Sequence, residues 1–391
     1  MKLSNIGSIL RISGLHSSNV RSNAVAWLLC TCGAVCSHAQ TTSPQQIFEQ
    51  AVQAQQRGDD AVAVRKYREI LALHPEALAV RVNLGVTLEH LQRYSEAINQ
   101  YRIVLASDPK NRLARMNLAL AFQENGQLEP AINELVRLHH EDPKDEQAVM
   151  MLADCEVRAG RGSDAVALLA PMDSSQPDDP DLEWLLGSAL IEAGRPQEGV
   201  ERVEKAAEKG ANVDAWLLAG RTRLELSQFD LARKDADAAK LANSNVAGLQ
   251  TLFGMIQEQT ADYEGAEVSL LNAVAANEKD FNAQYYLGAI YYFKRDLVKA
   301  RVQLTRALQL QPASAQARFE LALVDRAEGQ LDAALQGLQT VVQQSPDWLQ
   351  PHIELSALYY RLHRPDDGEH QKQIVDRLIA AQQQSESQKT H

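Results

Sequence analysis

A proline that recurs every 34 residues constrains the fold of this chain more than any other feature of its sequence. The prolines with this spacing form two runs, Pro75, Pro109, Pro143 and Pro177, then Pro312 and Pro346. In this register ten repeats begin at residues 44, 78, 112, 146, 180, 213, 247, 281, 315 and 349, and only the fifth is one residue short. A period of this length is typical of arrays in which each repeat buries its apolar face against the next. We therefore predict one array over residues 44–382.

Two positions of the repeat hold only small residues. Position 8 is Ala51, Gly85, Ala119, Ala153, Gly187, Gly220, Gly254, Gly288, Ala322 and Ser356. Position 20 is Ala63, Ala97, Ala131, Ala165, Gly199, Ala232, Ala266, Ala300, Ala334 and Gly368. Because two antiparallel helices approach closely only where neither carries a large side chain, we expect these two positions to face each other.

Each repeat reads as two helices joined by a tight turn. Apolar residues recur at helical spacing in both halves of the second repeat: Val80, Leu84, Leu88 and Leu91, then Ile98, Tyr101 and Leu105. Position 15 carries glycine in five repeats, at Gly58, Gly126, Gly160, Gly194 and Gly329, as suits the left-handed conformation that ends a helix. The closing proline cannot continue a helix. No segment has the pattern of a strand, so the fold class is all-α.

The best-preserved repeats carry a recognisable pattern. It is Leu84-Gly85, Leu88, Ala97, Tyr101 and Pro109 in the second repeat, and Leu287-Gly288, Tyr291, Ala300, Ala307 and Pro312 in the eighth. This pattern resembles the tetratricopeptide repeat. The resemblance implies a right-handed superhelical solenoid of about ten antiparallel helix pairs, with the first helix of each pair lining a concave groove. Apolar residues at Ile374, Val375, Leu378 and Ile379 predict a C-terminal capping helix, and residues 383–391 are predicted to be a disordered tail.

The first forty residues differ from the array. Residues 1–23 carry three basic residues and no acidic one, and residues 24–36 form a short apolar stretch that small residues follow. These are the parts of a secretory signal peptide. We predict a signal peptide over residues 1–39 with cleavage after Ala39, a linker over residues 40–43, and a periplasmic or secreted location for a bacterial protein.

Composition and motifs exclude several function classes. The formal net charge of −12 disfavours nucleic-acid binding, which depends on clustered basic residues. No apolar run is long enough to span a membrane in the mature chain. We find no catalytic or nucleotide-binding motif and therefore predict no enzymatic activity and no cofactor. His139 and His140 are adjacent and point apart on a helix, and the acids between Asp173 and Glu183 lack the spacing of a calcium loop. We predict no metal site. Cys155 is expected to pack as a small apolar residue.

The remaining candidate site is the groove. In the family, positions 2, 5, 9, 12 and 13 face the concave surface, and here several of them are aromatic near the C-terminus: Tyr285, Tyr292, Phe293, Phe319 and Tyr360. Such side chains offer a large contact area to a ligand, and packing between neighbouring helices is an equally good interpretation. Asn83 and Asn117 occupy position 6, where asparagines of some family members bond a peptide backbone.

We therefore expect a scaffold or adaptor that binds a protein or peptide in the groove. The alternative is a structural component of a cell-envelope assembly or secretion complex that uses the convex face and the ends of the array. Replacement of Tyr292 and Phe319 separates the two, since only the first depends on the groove.

Overall fold

The computed structural model describes residues 43–175, 179–210 and 212–389, and these residues form twenty α-helices and no strand. The predicted signal peptide lies outside the described residues. The chain divides into two compact parts, the N-terminal part ending at Asp214 and the C-terminal part beginning at Ala215. Within each part, consecutive helices pack together in pairs, as the repeat predicts.

The bounds of the helices follow the repeat. The first helices are α1 (Pro44–Gln56), α3 (Leu78–His90), α5 (Arg112–Glu124), α7 (Glu146–Arg158), α9 (Pro180–Glu192), α11 (Val213–Glu225), α13 (Leu249–Gln259), α15 (Phe281–Phe293), α17 (Ala315–Ala327) and α19 (Leu349–Arg361). The second helices are α2 (Asp60–Leu73), α4 (Tyr94–Ser107), α6 (Leu128–Glu141), α8 (Gly162–Ser175), α10 (Pro196–Gly210), α12 (Phe229–Ala242), α14 (Tyr263–Ala276), α16 (Leu297–Leu310), α18 (Leu331–Gln344) and α20 (Pro365–Lys389).

The residue before each repeat acts as a helix cap in seven cases. Its side-chain oxygen accepts a hydrogen bond from a backbone N–H of the first turn at Ser43, Asn111, Asp145, Asp179, Asn212, Asp280 and Ser314. Such a bond satisfies one of the N–H groups that a helix leaves without a partner at its start. The first helix α13 begins two residues after its repeat begins, because Gly248 precedes it with a φ of 84°.

Position 15 adopts a positive φ in all ten repeats. Five of these residues are the predicted glycines, with φ between 74° and 80°, and the others are Gln92, Ser227, Ala261, Arg295 and His363. The prediction of a left-handed helix end is therefore confirmed at the glycines. The five other residues show that the turn dictates the conformation even where the side chain opposes it.

The strain at these residues is testable at Ala261, whose φ is 61°. Replacing Ala261 by glycine removes the steric clash of Cβ in the folded state, but it also raises the conformational entropy of the unfolded chain. We expect a net gain of about 0.5–1 kcal/mol in unfolding free energy, measured by urea denaturation. Gly329→Ala is the mirror control, because an added Cβ meets nothing within 4 Å there and only the φ of 80° opposes it. Equal stability of Ala261→Gly and the wild type would contradict the interpretation.

Positions 8 and 20 meet where the two helices of a repeat cross. A Cβ added to Gly187 would lie 2.8 Å from the carbonyl oxygen of Gly199, and a Cβ added to Gly199 would lie 2.6 Å from that of Gly187. Every alanine at the two positions is at most 1% exposed. The predicted close approach is therefore confirmed. Gly254 and Gly288 face position 24 instead, where a leucine side chain fills the space.

We expect Gly199→Ala to overpack this crossing and to lower the unfolding free energy by about 1–3 kcal/mol. The added Cβ would clash with the backbone of α9, which cannot shift as easily as the end of a flexible side chain. Gly210→Ala is the matched control in the same helix, because its Cβ would make an ordinary contact of 3.5 Å with Pro180. Denaturation curves that coincide for the two variants would show that the crossing has spare room.

The last helix covers the end of the array. Ser356 Oγ donates a hydrogen bond of 2.8 Å to the carbonyl oxygen of Gly368, and Nδ1 of His352 lies 2.7 Å from the side-chain oxygen of Gln371. These contacts join α19 to α20 as the predicted capping helix requires. The structure differs from the expectation at the tail, because α20 continues as a helix to Lys389. No glycine or proline after Gly368 interrupts it.

Candidate functional site

First helices of neighbouring repeats contact one another in both parts of the chain. In the N-terminal part, α3 contacts α5 and α7 contacts α9, and in the C-terminal part α15 contacts both α13 and α17. A polar side chain between two first helices is therefore held by both. We call the exposed side of this layer the first-helix surface.

The predicted aromatic residues of α15 lie on this layer. The ring of Tyr285 stacks on Phe281 at 6.0 Å and makes an edge contact with Tyr286 at 5.0 Å. Tyr292 is half-buried and packs against two core clusters, one mainly of repeats 7 and 8 and one of repeats 9 and 10. Phe293 is 60% exposed and stacks on Tyr263 of α14 at 4.2 Å, so its ring contacts a second helix.

The other two aromatic residues serve the packing of the array. Phe319 is 6% exposed and lies 4.9 Å from the ring of Trp348 in the core of repeats 9 and 10. Tyr360 is 45% exposed, but its hydroxyl donates to Glu369 of α20 at 3.0 Å. The core interpretation therefore describes Phe319, and a Phe319→Ala variant would report on stability before it reported on a ligand.

Asn83 and Asn117 are both half-buried, on α3 and α5. The backbone carbonyl of Asn83 accepts a hydrogen bond from Thr87 Oγ1 at 2.8 Å. The side chain of Asn117 faces the hydroxyl of Tyr101, which reaches it from α4. Of the two asparagines, Asn117 is the one that lies beside the buried Tyr101 hydroxyl and its polar neighbours.

Those groups form what we call the Glu89 cluster: Glu89, Tyr94, Tyr101, Asn117 and Glu124. Tyr101 is fully buried, and its ring crosses Gly85, where an added Cβ would lie 2.5 Å from Cζ. The Tyr101 hydroxyl is close enough to Glu89 and Asn117 to interact weakly with both side chains, but neither this hydroxyl nor the Oε1 atom of Glu89 makes a hydrogen bond of normal geometry. Burial raises the pKa of Glu89 to about 8.

A better satisfied carboxylate, Asp154, lies in the fourth repeat. Gln123 Nε2 donates to Asp154 Oδ2 at 2.7 Å, and Arg158 approaches the same oxygen at 3.7 Å. Burial still raises the pKa of Asp154 to about 6 despite these partners. In the C-terminal part, burial raises the pKa of Glu320 to about 7, and Glu258 and Tyr285 lie near it. Acidic groups at low exposure therefore recur on the first-helix surface.

A depression of about 690 Å³ opens between α4 and α6, and α5 forms its floor. The guanidinium of Arg102 lies 5.4 Å from the ring centre of Phe122, and Arg137 pairs with Glu134 at 3.2 Å. Arg115 is 7% exposed and pairs with the same glutamate at 2.6 Å. The opening is basic, in contrast to the first-helix surface of the same repeats.

The remaining candidates from the sequence have structural roles. Burial raises the pKa of the Cys155 thiol to about 12, as suits an apolar core residue. Asp173 and Glu183 share Arg202 at 2.6 and 3.0 Å, and Asp179 caps α9. Among the residues that the structure describes, no group of three His, Cys, Asp or Glu side chains could hold a metal ion, and no helix is both long and apolar enough to cross a bilayer.

Similarity to curated proteins is local. The chain is 27% identical over 130 residues to tetratricopeptide repeat protein 37 of Xenopus laevis, a match that covers 32% of this chain and 8% of that protein. It is 37% identical over 83 residues to the BBSome complex member BBS4 of Xenopus tropicalis, which covers 21% of this chain and 16% of that protein. The chain therefore spans only a small share of either relative.

Similarity to solved structures extends over more of the chain. The crystal structure of the APC/C hetero-tetramer Cut9-Hcn1 matches with a TM-score of 0.55 at 13% identity, over 86% of this chain and 88% of that one. A tetratricopeptide repeat protein from Parabacteroides merdae matches with a TM-score of 0.52 at 12% identity, over 62% of this chain and 97% of that one. At these identities the likeness is one of fold.

Family models match the repeats themselves. One tetratricopeptide repeat model matches residues 48–112, 91–146 and 185–246, and a second matches residues 124–188. Together the matches span residues 48–246, just over half of the chain. They agree with the helix pairs, the small residues at each crossing and the left-handed turn at position 15. The chain therefore belongs to the tetratricopeptide repeat family.

Proposed function

We propose that this protein is a non-enzymatic scaffold that binds a protein or peptide on its first-helix surface, outside the cytoplasm. A tetratricopeptide array is suited to protein interaction, and the family implies that its first helices face the ligand. The single observation that carries the proposal is the Glu89 cluster, in which the hydroxyl of a fully buried tyrosine and the buried Oε1 atom of Glu89 make no hydrogen bond of normal geometry. Buried polar groups are normally satisfied, and exceptions call for an explanation such as a missing ligand.

Capture of partners from envelope extracts tests the binding surface. The exported full chain is immobilised and compared with Tyr292→Ala, which removes a half-buried ring from the first-helix surface. Leu241→Ala is the matched control, because Leu241 is 91% exposed on the second helix α12. Partners retained by the wild type and the control but lost by Tyr292→Ala support the proposal, and partners retained by all three contradict it.

The location outside the cytoplasm rests on the signal pattern of residues 1–39. Its test is the intact mass of the protein recovered from the periplasm or the medium of a bacterial host. A mass that lacks residues 1–39 supports export with cleavage after Ala39. Recovery of the uncleaved chain from the cytoplasm alone would exclude it.

A second candidate function uses a different surface, as a component of an envelope assembly. The basic depression between α4 and α6 favours it, because an opening of this size with several arginines suits an acidic partner segment. The variant Arg102→Glu/Arg137→Glu reverses the charge at its rim. Partners that this variant loses and Tyr292→Ala retains would assign binding to the depression.

A further inference from the structure

We infer that the Glu89 cluster is a subsite for a cationic side chain, a lysine or arginine of the protein or peptide that binds the first-helix surface. The inference rests on the proposed function, and it names the chemistry of one contact within that function. Three observations carry it: a repeat that satisfies the same position without a ligand, the acidic character of the cluster, and its accessibility from the first-helix surface.

The first repeat holds a satisfied version of the same arrangement. Tyr67 and Tyr101 occupy the same position of their repeats, and both are fully buried. The Tyr67 hydroxyl donates to Oε1 of Gln55 at 3.0 Å. Glu89 occupies the position of Gln55, yet its Oε1 atom and the Tyr101 hydroxyl make no hydrogen bond of normal geometry and interact only weakly. The fold can therefore make a well-formed bond here with a neutral amide, whereas the glutamate makes a poorer contact.

A sequence that leaves a buried carboxylate oxygen without a well-formed hydrogen bond, where the neighbouring repeat shows a stable alternative, is typical of a functional position. The cost is real, since the protein medium disfavours the charged form. A cation that bonds to the carboxylate removes the cost, because a buried charge is stable when it is paired. The tyrosine hydroxyl and the Asn117 amide remain to bond the rest of the ligand.

The surroundings favour a cation over any other ligand. Glu124 of α5 faces Glu89, and no basic side chain contributes to the ionisation of Glu89. The neighbouring His90 is engaged with Asp60 of α2 at 3.4 Å. Two carboxylates and two phenols therefore surround the space between α3 and α5, and an anionic ligand would be repelled.

The cluster is open to a ligand on one side. Glu89, Tyr94 and Asn117 are half-buried, and Glu124 is exposed at the end of α5. An incoming side chain must be long and thin to reach the buried Oε1 atom past these groups. Lysine and arginine have this shape, because an apolar stem carries the charge at its tip.

The test uses the full chain and a library of short peptides with one fixed central residue: lysine, arginine, citrulline, norleucine or glutamate. We expect the wild type to retain the lysine and arginine peptides about tenfold more strongly than those with norleucine or citrulline, as suits a charge-assisted hydrogen bond. Glu89→Gln is expected to abolish this preference, because it keeps the shape and removes the charge. Glu69→Gln makes the same charge change at an exposed site on the second helix α2 and is the control.

A second probe separates this inference from the proposed function. The salt n-butylammonium chloride imitates a lysine side chain, and we expect it to raise the melting temperature of the wild type but not of Glu89→Gln, relative to sodium chloride at equal ionic strength. If no peptide is retained but this shift is seen, the subsite stands and peptide binding fails. If peptides are retained without a cation preference, or with one that Glu89→Gln keeps, the subsite is wrong. If neither peptides nor the amine have an effect, both proposals are wrong.

Discussion

Replacing Asp235 by alanine is expected to lower the unfolding free energy of the C-terminal part by about 3–5 kcal/mol, the largest single effect that the structure predicts. Asp235 is fully buried on α12, and its carboxylate oxygens lie 2.6 and 2.7 Å from Nη1 of Arg223, which is 5% exposed on α11. Without Asp235 the buried guanidinium loses the carboxylate that its Nη1 atom contacts.

The matched control removes both charges. Arg223→Met/Asp235→Leu fills the same space with apolar atoms, and such replacements of buried ion pairs are often neutral or stabilising. Hydrogen exchange is the measurement, because an array need not unfold in one step. We expect Asp235→Ala to speed exchange in α11 and α12 and the double variant to restore it. Equal exchange in the two variants would show that Asp235 is needed for its shape and not for its charge.

The sequence predicts the helices and turns of this fold because the signals for each of them recur at the same position in several repeats. One glycine at position 15 is weak support for a turn, but five glycines in register identify the left-handed residue of every repeat, including those where Ala261 or Arg295 stands. The small residues at positions 8 and 20 predict the helix crossing for the same reason. When several repeats are compared, a single residue that departs from the pattern of its position does not change the prediction, whereas it would mislead the interpretation of one segment alone.

Comparison of the repeats does not predict a contact that different residue types can make equally well. Side chains at position 4 bond the backbone carbonyl six residues earlier, at the end of the preceding repeat: Arg81 to Pro75, Arg115 to Pro109, Gln284 to Glu278, Arg318 to Pro312 and His352 to Pro346. Arginine, glutamine and histidine share only their reach and a donor, so the column looks irregular. The carbonyl that they satisfy is found only once the loop has been placed.

The buried ion pair was missed for a related reason. Arg223 and Asp235 stand at positions 11 and 23, and the sixth repeat is the one in which both carry opposite full charges. Gln257 and Ser269 form the equivalent contact in the next repeat at 2.7 Å. A search for paired exceptions between these two columns would have found the contact, whereas neither column alone shows that the two residues meet.

The site residues that the sequence suggests stay a prediction, but the structure shows where they lie. Asn117 lies beside the Tyr101 hydroxyl, whereas the aromatic residues were selected by their type, and Phe319 is in the core. The sequence did not identify Glu89, because a glutamate near the end of a helix is ordinary until the buried Tyr101 hydroxyl is placed beside it. Comparison of Gln55 with Glu89 at one repeat position, with tyrosine in both repeats, was the available signal.

Glu89→Gln is expected to stabilise the N-terminal part at alkaline pH by on the order of 2–4 kcal/mol and to change nothing near pH 4. Burial raises the pKa of Glu89 from 4.5 to about 8 in the folded chain, so the folded state binds more protons than the unfolded state between these values. Stability of the wild type therefore falls as the pH rises through this window. Glutamine cannot ionise, and it can accept from the Tyr101 hydroxyl as Gln55 accepts from Tyr67.

Urea denaturation from pH 4 to pH 9 measures the effect as the difference between the two proteins. The groups that face Glu89 are Tyr94 and Tyr101 of α4 and Glu124 of α5, while Asp60 of α2 is engaged by His90. The raised pKa values of Asp154 and Glu320 change the unfolding free energy of both proteins with pH in the same way. The difference in unfolding free energy between the two proteins therefore reports on Glu89. Glu69→Gln should follow the wild type at every pH, and parallel curves for Glu89→Gln would show that Glu89 is solvated.

The sign of this effect distinguishes a binding residue from a structural one. A residue kept for stability makes the protein weaker when it is replaced, whereas Glu89→Gln should make the array more stable and the retention of lysine and arginine peptides poorer. A variant that is more stable but binds more weakly indicates a site at which the wild-type residue favours binding at a cost in stability. If Glu89→Gln lowered stability at pH 8, the carboxylate would have a partner within the fold, and a ligand would not be needed to explain it.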